Sequence, residues 1–398
     1  MHSMSRRRPG PVLVGLAAAA ASVAAVAVPA VASATTTNQS PVIGHVYVDD
    51  NTAGTNTIGA FEQHANGSLT SAPGSPFTAG GAGTGSGLAS QGALQISPDG
   101  RFLIAVDAGS NQVSVLRIKP DGSLKLVPNG VVSSGGVTPV SVAVHDDLVY
   151  VANAGNGGNN YTGFRLGFFG HLHPIPGSTV ALPDGSQPGD VLFNGAGTKL
   201  AGTRVGSSQI DSFTVGDGGR LTAAPGSPFP AQGAGPFGSE FRPTNSSQLF
   251  VSNAHNVGAG TGTVSAFRDS RNGALTSIGS SPFADQQTAP CWVEISQNGE
   301  FLFTVNTASG TISRYSIAAD GSLTLLGSTS VSASGGVGAV DARLSPDGRY
   351  LYVDESKIGA VGTFAVNGGN LTELSGSPTS LPAGATPAGV VVTQISNP

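Results

Sequence analysis

Charged residues inside apolar, strand-like runs are the first features of this sequence that could do chemistry. Glu240 sits in "GSEFR", Glu294 in "PCWVEIS" and Arg343 in "VDARLS", each at a matching distance from the turn that follows. Gln95 in "ALQIS" occupies the same point. Burying a charge without a partner is costly, so such residues either pair with one another or line a polar cavity. For Glu294 and Arg343 both readings stand: an ion pair, or a lining in which a glutamate serves as general base. A second set closes apolar runs such as "YVAN" and "LFVSN": Asp50, Asp107, Asn153, Arg204, Asn253, Asn306 and Glu355. Side chains of this kind commonly cap a strand and bond the adjoining loop; the alternative is that some face a cavity. Arg204 is the one cation of the set, suited to hold a carboxylate or a developing oxyanion. His255, in "SNAHN", is either an exposed loop residue or an acid–base group active near neutral pH.

These residues recur because the elements carrying them recur. Seven Gly-x-Leu anchors, from Gly67/Leu69 through Gly122, Gly170, Gly219, Gly273 and Gly321 to Gly369/Leu371, follow one another at spacings of 48 to 55 residues. Each belongs to a unit with one grammar. In 93–132, "ALQIS" reads as a short strand, "PDG" as a turn, "RFLIAV" and "QVSVLRI" as two further strands, and "LKLVP" as a fourth after a second "PDG". Proline presets φ in such turns and glycine supplies φ > 0. Four short antiparallel strands per repeat is the pattern of a propeller blade. The first unit opens at "HVYVDD" (45–50) without an inner strand, while the apolar "TPAGVVVTQI" (386–395) is left over at the other end. Joining the two closes the ring and removes exposed edges. The expected fold is therefore all-β: a seven-bladed β-propeller of four-stranded antiparallel blades, with 35–398 as one domain. The phrases "TSAPGSPF" (70–77) and "TAAPGSPF" (222–229), echoed by "TSIGSSPF" (276–283), then mark the outer strand and the crossing to the next blade.

Composition narrows the function classes. Eighteen Lys and Arg stand against 23 Asp and Glu, a net charge of −5, which argues against nucleic acid, whose binding requires a basic stripe. Arg6, Arg7 and Arg8 precede an apolar stretch over 12–28 and an A-x-A site at Ala32-Ser33-Ala34. This predicts a signal peptide over 1–34, cleaved after Ala34, and a secreted product with no membrane association thereafter. Cys291 is the only cysteine, so no internal disulfide staples the fold, and its apolar setting reads as a buried thiol. "GAGPFG" (233–238) matches G-x-G-x-x-G, but Pro236 removes an amide donor and a strand follows where a dinucleotide fold needs a helix. No motif names a cofactor or a metal.

The phrases "SPDGRFLIAVDAGSNQVSVLRI…DGSLKL" and "SPDGRYLYV" resemble the seven-bladed β-propeller lactonase family, which includes the 6-phosphogluconolactonase type and carboxymuconate cyclase-like propellers. The resemblance covers 41–398. It implies ring opening of a lactone or related small carboxylate in the central channel, with Arg204 or Arg343 as clamp and Glu240 or Glu294 as base. The sequence departs from the family pattern at two places. "LASQGALQISPDG" has no histidine before the turn, and "GPFGSEFRP" (235–243) has Phe237 and Gly238 where Arg and His are expected. The competing expectation is a non-enzymatic propeller that binds a glycan, peptide or protein partner outside the cell. A monomer is expected in either case.

Overall fold

Runs of β-branched and aromatic residues form the strands, and the second strand of a blade is typically buried along its whole length, as in Phe102–Asp107 and Leu148–Asn153. The computed structural model describes residues 40–331 and 338–395; the expected leader over 1–34 lies outside them. Among the described residues the strands form seven antiparallel sheets with one common path of four strands. Blade 2 shows it plainly: Leu94–Ile96 innermost, then Phe102–Asp107, Gln112–Ile118 and Leu124–Ser133. The ring closes as the sequence implies. Gly389–Gln394 pairs antiparallel with Val42–Asp49, Val390 opposite Val48, and becomes the inner strand of blade 1. The fold is a seven-bladed β-propeller.

The repeated Pro/Gly phrases interrupt the outer strand rather than follow it. Blades 1, 3, 4, 5 and 7 each carry a short extra strand on the third strand, whereas blades 2 and 6 have an unbroken outer strand. The five interrupted blades carry a serine at the break, Ser75, Ser178, Ser227, Ser281 or Ser377, preceded directly by glycine in each except Ser281, which follows Gly279-Ser280. In each, the serine hydroxyl accepts a hydrogen bond from a third-strand amide: Ala60 to Ser75 at 2.8 Å, Gly163 to Ser178 at 3.1 Å, Ser212 to Ser227 at 3.0 Å, Ala266 to Ser281 at 2.7 Å and Thr363 to Ser377 at 2.9 Å. The hydroxyl thus replaces the ladder bond lost at the break, since a backbone N–H left bare would be destabilising.

The apolar core is divided into slabs between neighbouring blades. One cluster joins blades 2 and 3 through Phe102, Ile104, Val142, Val149 and Phe164. Another joins blades 7 and 1 through Tyr352, Val361, Val46 and Phe61. Close approach of the sheets depends on the Gly-x-Leu glycine of each blade, which faces the preceding blade. A Cβ on Gly122 would lie 2.1 Å from the His45 ring, on Gly67 2.3 Å from Tyr350, on Gly170 2.5 Å from Phe102 and on Gly369 2.4 Å from Phe301. The same glycines have positive φ, +77° at Gly122 and +89° at Gly170. Their carbonyls accept from the same neighbour: Tyr47 donates to Gly122 at 2.9 Å and Tyr150 to Gly219 at 2.7 Å.

Gly170→Ala should therefore lower unfolding free energy by about 2–4 kcal/mol, combining left-handed strain with overpacking against buried Phe102. Gly100→Ala, at φ +70° with no heavy atom within 4 Å of its added Cβ, should incur only the backbone share, about 1–2 kcal/mol. Urea denaturation of the two variants measures the difference; equal losses would refute the packing role.

Candidate functional site

All seven inner strands run the same way along the central channel, because each is entered from the outer strand of the blade before. Side chains two residues apart on a strand share a face, so the inner strands present charged residues at two levels. One level holds Asp190 and Asp341, with Trp292 and Gly238 at the matching points. The other holds Gln95, Glu240, Glu294 and Arg343. A cavity of about 190 Å³ is lined by Gln91, Gln95, Asp190, Ser239, Glu240 and Arg343, with Val142 and Leu192 completing the wall.

Four carboxyl groups surround one guanidinium here. Arg343 Nη1 lies 3.3 Å from Glu294 Oε2, and Glu294 Oε1 accepts the Leu344 amide at 2.9 Å. Arg343 Nε is buried without a hydrogen-bond partner. Glu294, with Asp341 and Glu240 adding to its effect, holds the guanidinium firmly protonated. Asp190 is fully engaged: Oδ2 accepts the Ser239 amide at 2.9 Å and its hydroxyl at 2.6 Å, and Oδ1 accepts the Ser141 hydroxyl at 3.2 Å. Burial nevertheless pushes Asp190 up to about 7, its hydrogen bonds offsetting only part of the desolvation. Asp341 accepts from the Ala342 amide at 2.9 Å and the Val390 amide at 3.4 Å, and burial lifts it to about 7 as well. Glu240 differs from both. It is half-buried, and its carboxyl group has no hydrogen-bond partner among the described residues. Burial first, and the neighbouring Glu294 second, raise its affinity for a proton.

Glu240 and Arg343 thus share one cavity with Gln95, while Glu294 stands behind Arg343 as its counter-ion. Both readings of the Glu294–Arg343 pair hold together: they are paired across blades 6 and 7, and the arginine still borders the channel. Arg204 is elsewhere. Its Nε and Nη2 each lie 2.6 Å from the Asp211 carboxylate, which also accepts from Tyr161 at 3.0 Å. The carboxylate that Arg204 holds is therefore the protein's own. Most of its set has the same local role across the hairpin of second and third strands: Asp107 accepts from Ser114 and Asn56, Asn153 donates to Asn160 at 2.8 Å, and Asn306 donates to Ser313 at 2.8 Å. His255 is exposed on the loop after the second strand of blade 5. Cys291 is buried, its thiol pushed up to about 11 by desolvation.

Asp190, Asp341 and Gln91 were not singled out by the sequence reading. For the two aspartates the signal was present, an acid inside an apolar inner strand as in "PGDVLF" and "AVDARL". Gln91 precedes its strand, and nothing local marks it. Its placement explains Gly238. A Cβ there would lie 2.0 Å from Gln91 Oε1 and 2.7 Å from the Cys291 carbonyl, so Gln91 fills the space a side chain at 238 would need. Phe237 packs edge-on to Trp292 at 5.3 Å.

A family model described as Lactonase, 7-bladed beta-propeller matches residues 52–178 and 200–389. Among solved structures, a periplasmic gluconolactonase of Pseudomonas aeruginosa aligns at 17% identity with TM-score 0.71, covering 89% of this chain and 99% of that one. A Bacteroides fragilis protein provisionally named a 6-phosphogluconolactonase aligns at 19% identity with TM-score 0.68, covering 88% and 98%. A Lactobacillus plantarum protein aligns at 20% identity with TM-score 0.70, covering 88% and 99%. These likenesses establish the shared fold. No curated protein sequence matches the chain.

The raised carboxyl groups set a sign for stability against pH. Asp190 and Asp341 rise from 3.8 to about 7 on folding. Between those values the folded protein keeps protons that the unfolded chain has released, so stability falls as pH rises from about 4 to about 7 and then levels. Thermal midpoints over pH 4–8 should show that decline, and Asp190→Asn should make it shallower. An unchanged slope in the variant would show that Asp190 is ionised throughout.

Proposed function

The chain belongs to the seven-bladed β-propeller lactonase family, and on that premise we propose that it hydrolyses a small lactone in the central cavity. Glu240 carries the proton and Arg343 holds the developing oxyanion. The observation that carries this reading is the pairing of a half-buried carboxyl group that has no hydrogen-bond partner with an arginine whose Nε is unspent, both on one cavity of about 190 Å³. Ionised Glu240 would take a proton from a water molecule as the water oxygen adds to the lactone carbonyl carbon. Negative charge then builds on the carbonyl oxygen, where Arg343 can meet it. The ring C–O bond breaks next, and the proton passes from Glu240 to the leaving alkoxide. The product is an open-chain hydroxy acid.

The acid-rich lining supports a neutral cyclic ester over a substrate that arrives as an anion. Where ionised, Asp190 and Glu240 on the cavity wall would repel a carboxylate product and favour its release. The reading also includes export, for which the leader sequence over 1–34 is the support; one structural neighbour is a periplasmic enzyme acting on a gluconolactone.

A panel of γ- and δ-lactones, gluconolactone and 6-phosphogluconolactone included, tests the proposal on the purified protein. Glu240→Gln should lower kcat by about 10²–10⁴-fold, the usual share of a general base. Arg343→Lys keeps a partner for Glu294 but loses the guanidinium fork, and should lower kcat by about 10²–10³-fold. Failure of the folded wild-type protein to open any lactone would sink the reading, and full activity in Glu240→Gln would sink the assignment of the base.

A further inference from the structure

The cavity is crossed at one end by a strap of chain, residues 84–92, that joins blade 1 to blade 2. Its base is tied to Asn51, whose side chain accepts the Thr84 amide at 2.8 Å and donates to the Ser86 carbonyl at 2.6 Å. Its tip reaches across the ring. The Gln91 amide donates to Gly189 in blade 4 at 2.9 Å. The Gln91 side chain donates to Ser239 in blade 5 at 3.0 Å and to Val293 in blade 6 at 3.2 Å, and accepts the Val293 amide at 2.9 Å. In a ring of seven, blades 5 and 6 stand opposite blade 2. The Trp292 indole adds a bond to the Ser90 carbonyl at 2.8 Å. Along the strap Leu88 and Ser90 are buried while Ala89 is exposed. Leu88 anchors the strap in the apolar core between blades 2 and 3, while Gln91 and Gly92 are the strap residues that line the cavity.

We infer that this strap makes the channel a blind pocket, and that Gln91 determines specificity by fixing its depth. Both ends of the Gln91 amide are satisfied by backbone, so it closes the pocket rather than bonding a ligand. The cavity extends from Gln91 towards Val144 and Phe193, near the opposite ends of the inner strands. A substrate enters from that face, where the Ser-Pro-Asp-Gly turns lie. With the strap as its floor the pocket offers about 190 Å³, which favours a single small ring over a lactone with a bulky substituent. The inference rests on the lactonase reading only for the identity of the occupant.

Trp292, the single tryptophan of the chain and 3% exposed, reports on the strap directly. Gln91→Ala removes the crossbar, and Gln91→Asn keeps the amide but is too short to span the ring. Both variants should stay folded by circular dichroism, shift Trp292 emission to longer wavelength and raise its acrylamide quenching constant several-fold. Both should also gain several-fold in kcat/KM for lactones with bulky substituents relative to gluconolactone. Native emission and quenching in both folded variants would overturn the inference, as would global unfolding of both, since the strap would then be core rather than closure. If the wild-type protein opens no lactone, the tryptophan readout still decides the strap, so failure of the two readings is told apart.

Discussion

The ring depends on a contact that only glycine permits. At each blade junction the turn before the outer strand lies against the preceding blade, with no room for a Cβ: 2.1 Å to His45 at Gly122, 2.4 Å to Phe301 at Gly369. Around the ring this contact sets the separation of neighbouring sheets. It also fixes what the apolar faces can be, because the slabs of Val, Leu, Ile and Phe between blades pack only at that separation. Dispersion and burial accumulate blade by blade, and the centre is not needed as a core.

That division of labour frees the inner strands for charge. A conventional core could not hold Asp190, Asp341, Glu240, Glu294 and Arg343 in one region. Here they face a channel, and the energetic penalty shows as protons held more tightly than usual by the acids. The arrangement is internally graded. Asp190 and Asp341 are tied down by backbone amides and hydroxyls, Glu294 is spent on Arg343 and the Leu344 amide, and of these acids the Glu240 carboxyl alone has no hydrogen bond among the described residues. A group that must exchange a proton with a substrate needs that freedom, whereas its neighbours supply the field that tunes it.

Family membership and site chemistry are separate questions in this chain. The blade motifs that identify the family are turn and strand chemistry, and they would persist in a propeller of any activity. Phe237 and Gly238 depart from the family pattern, and the strap explains one of the two: Gln91 occupies the space next to Gly238. The cavity wall beside Gly238 is supplied by a segment from the opposite side of the ring.

By itself the sequence determined the repeat, the seven blades and the four-strand grammar, because these rest on periodicity and turn residues that are local in the chain, and it pointed to the closing strand because a unit short of one strand at one end matched an apolar run left over at the other. It also flagged Glu240, Glu294 and Arg343, since a charge inside an apolar strand is anomalous wherever the strand goes. What it could not decide was which charged residues meet. Arg204 and Arg343 look equally available in the sequence, yet one is spent on Asp211 seven residues away and the other is brought beside residues of blades 4, 5 and 6. The phrases ending in Ser-Pro-Phe read as exits between blades, and only pairing showed that each breaks an outer strand and repairs the break with a hydroxyl. Gln91 lay furthest from reach: its partners are 148 and 202 residues distant, and only closure of the ring puts them within the span of one side chain.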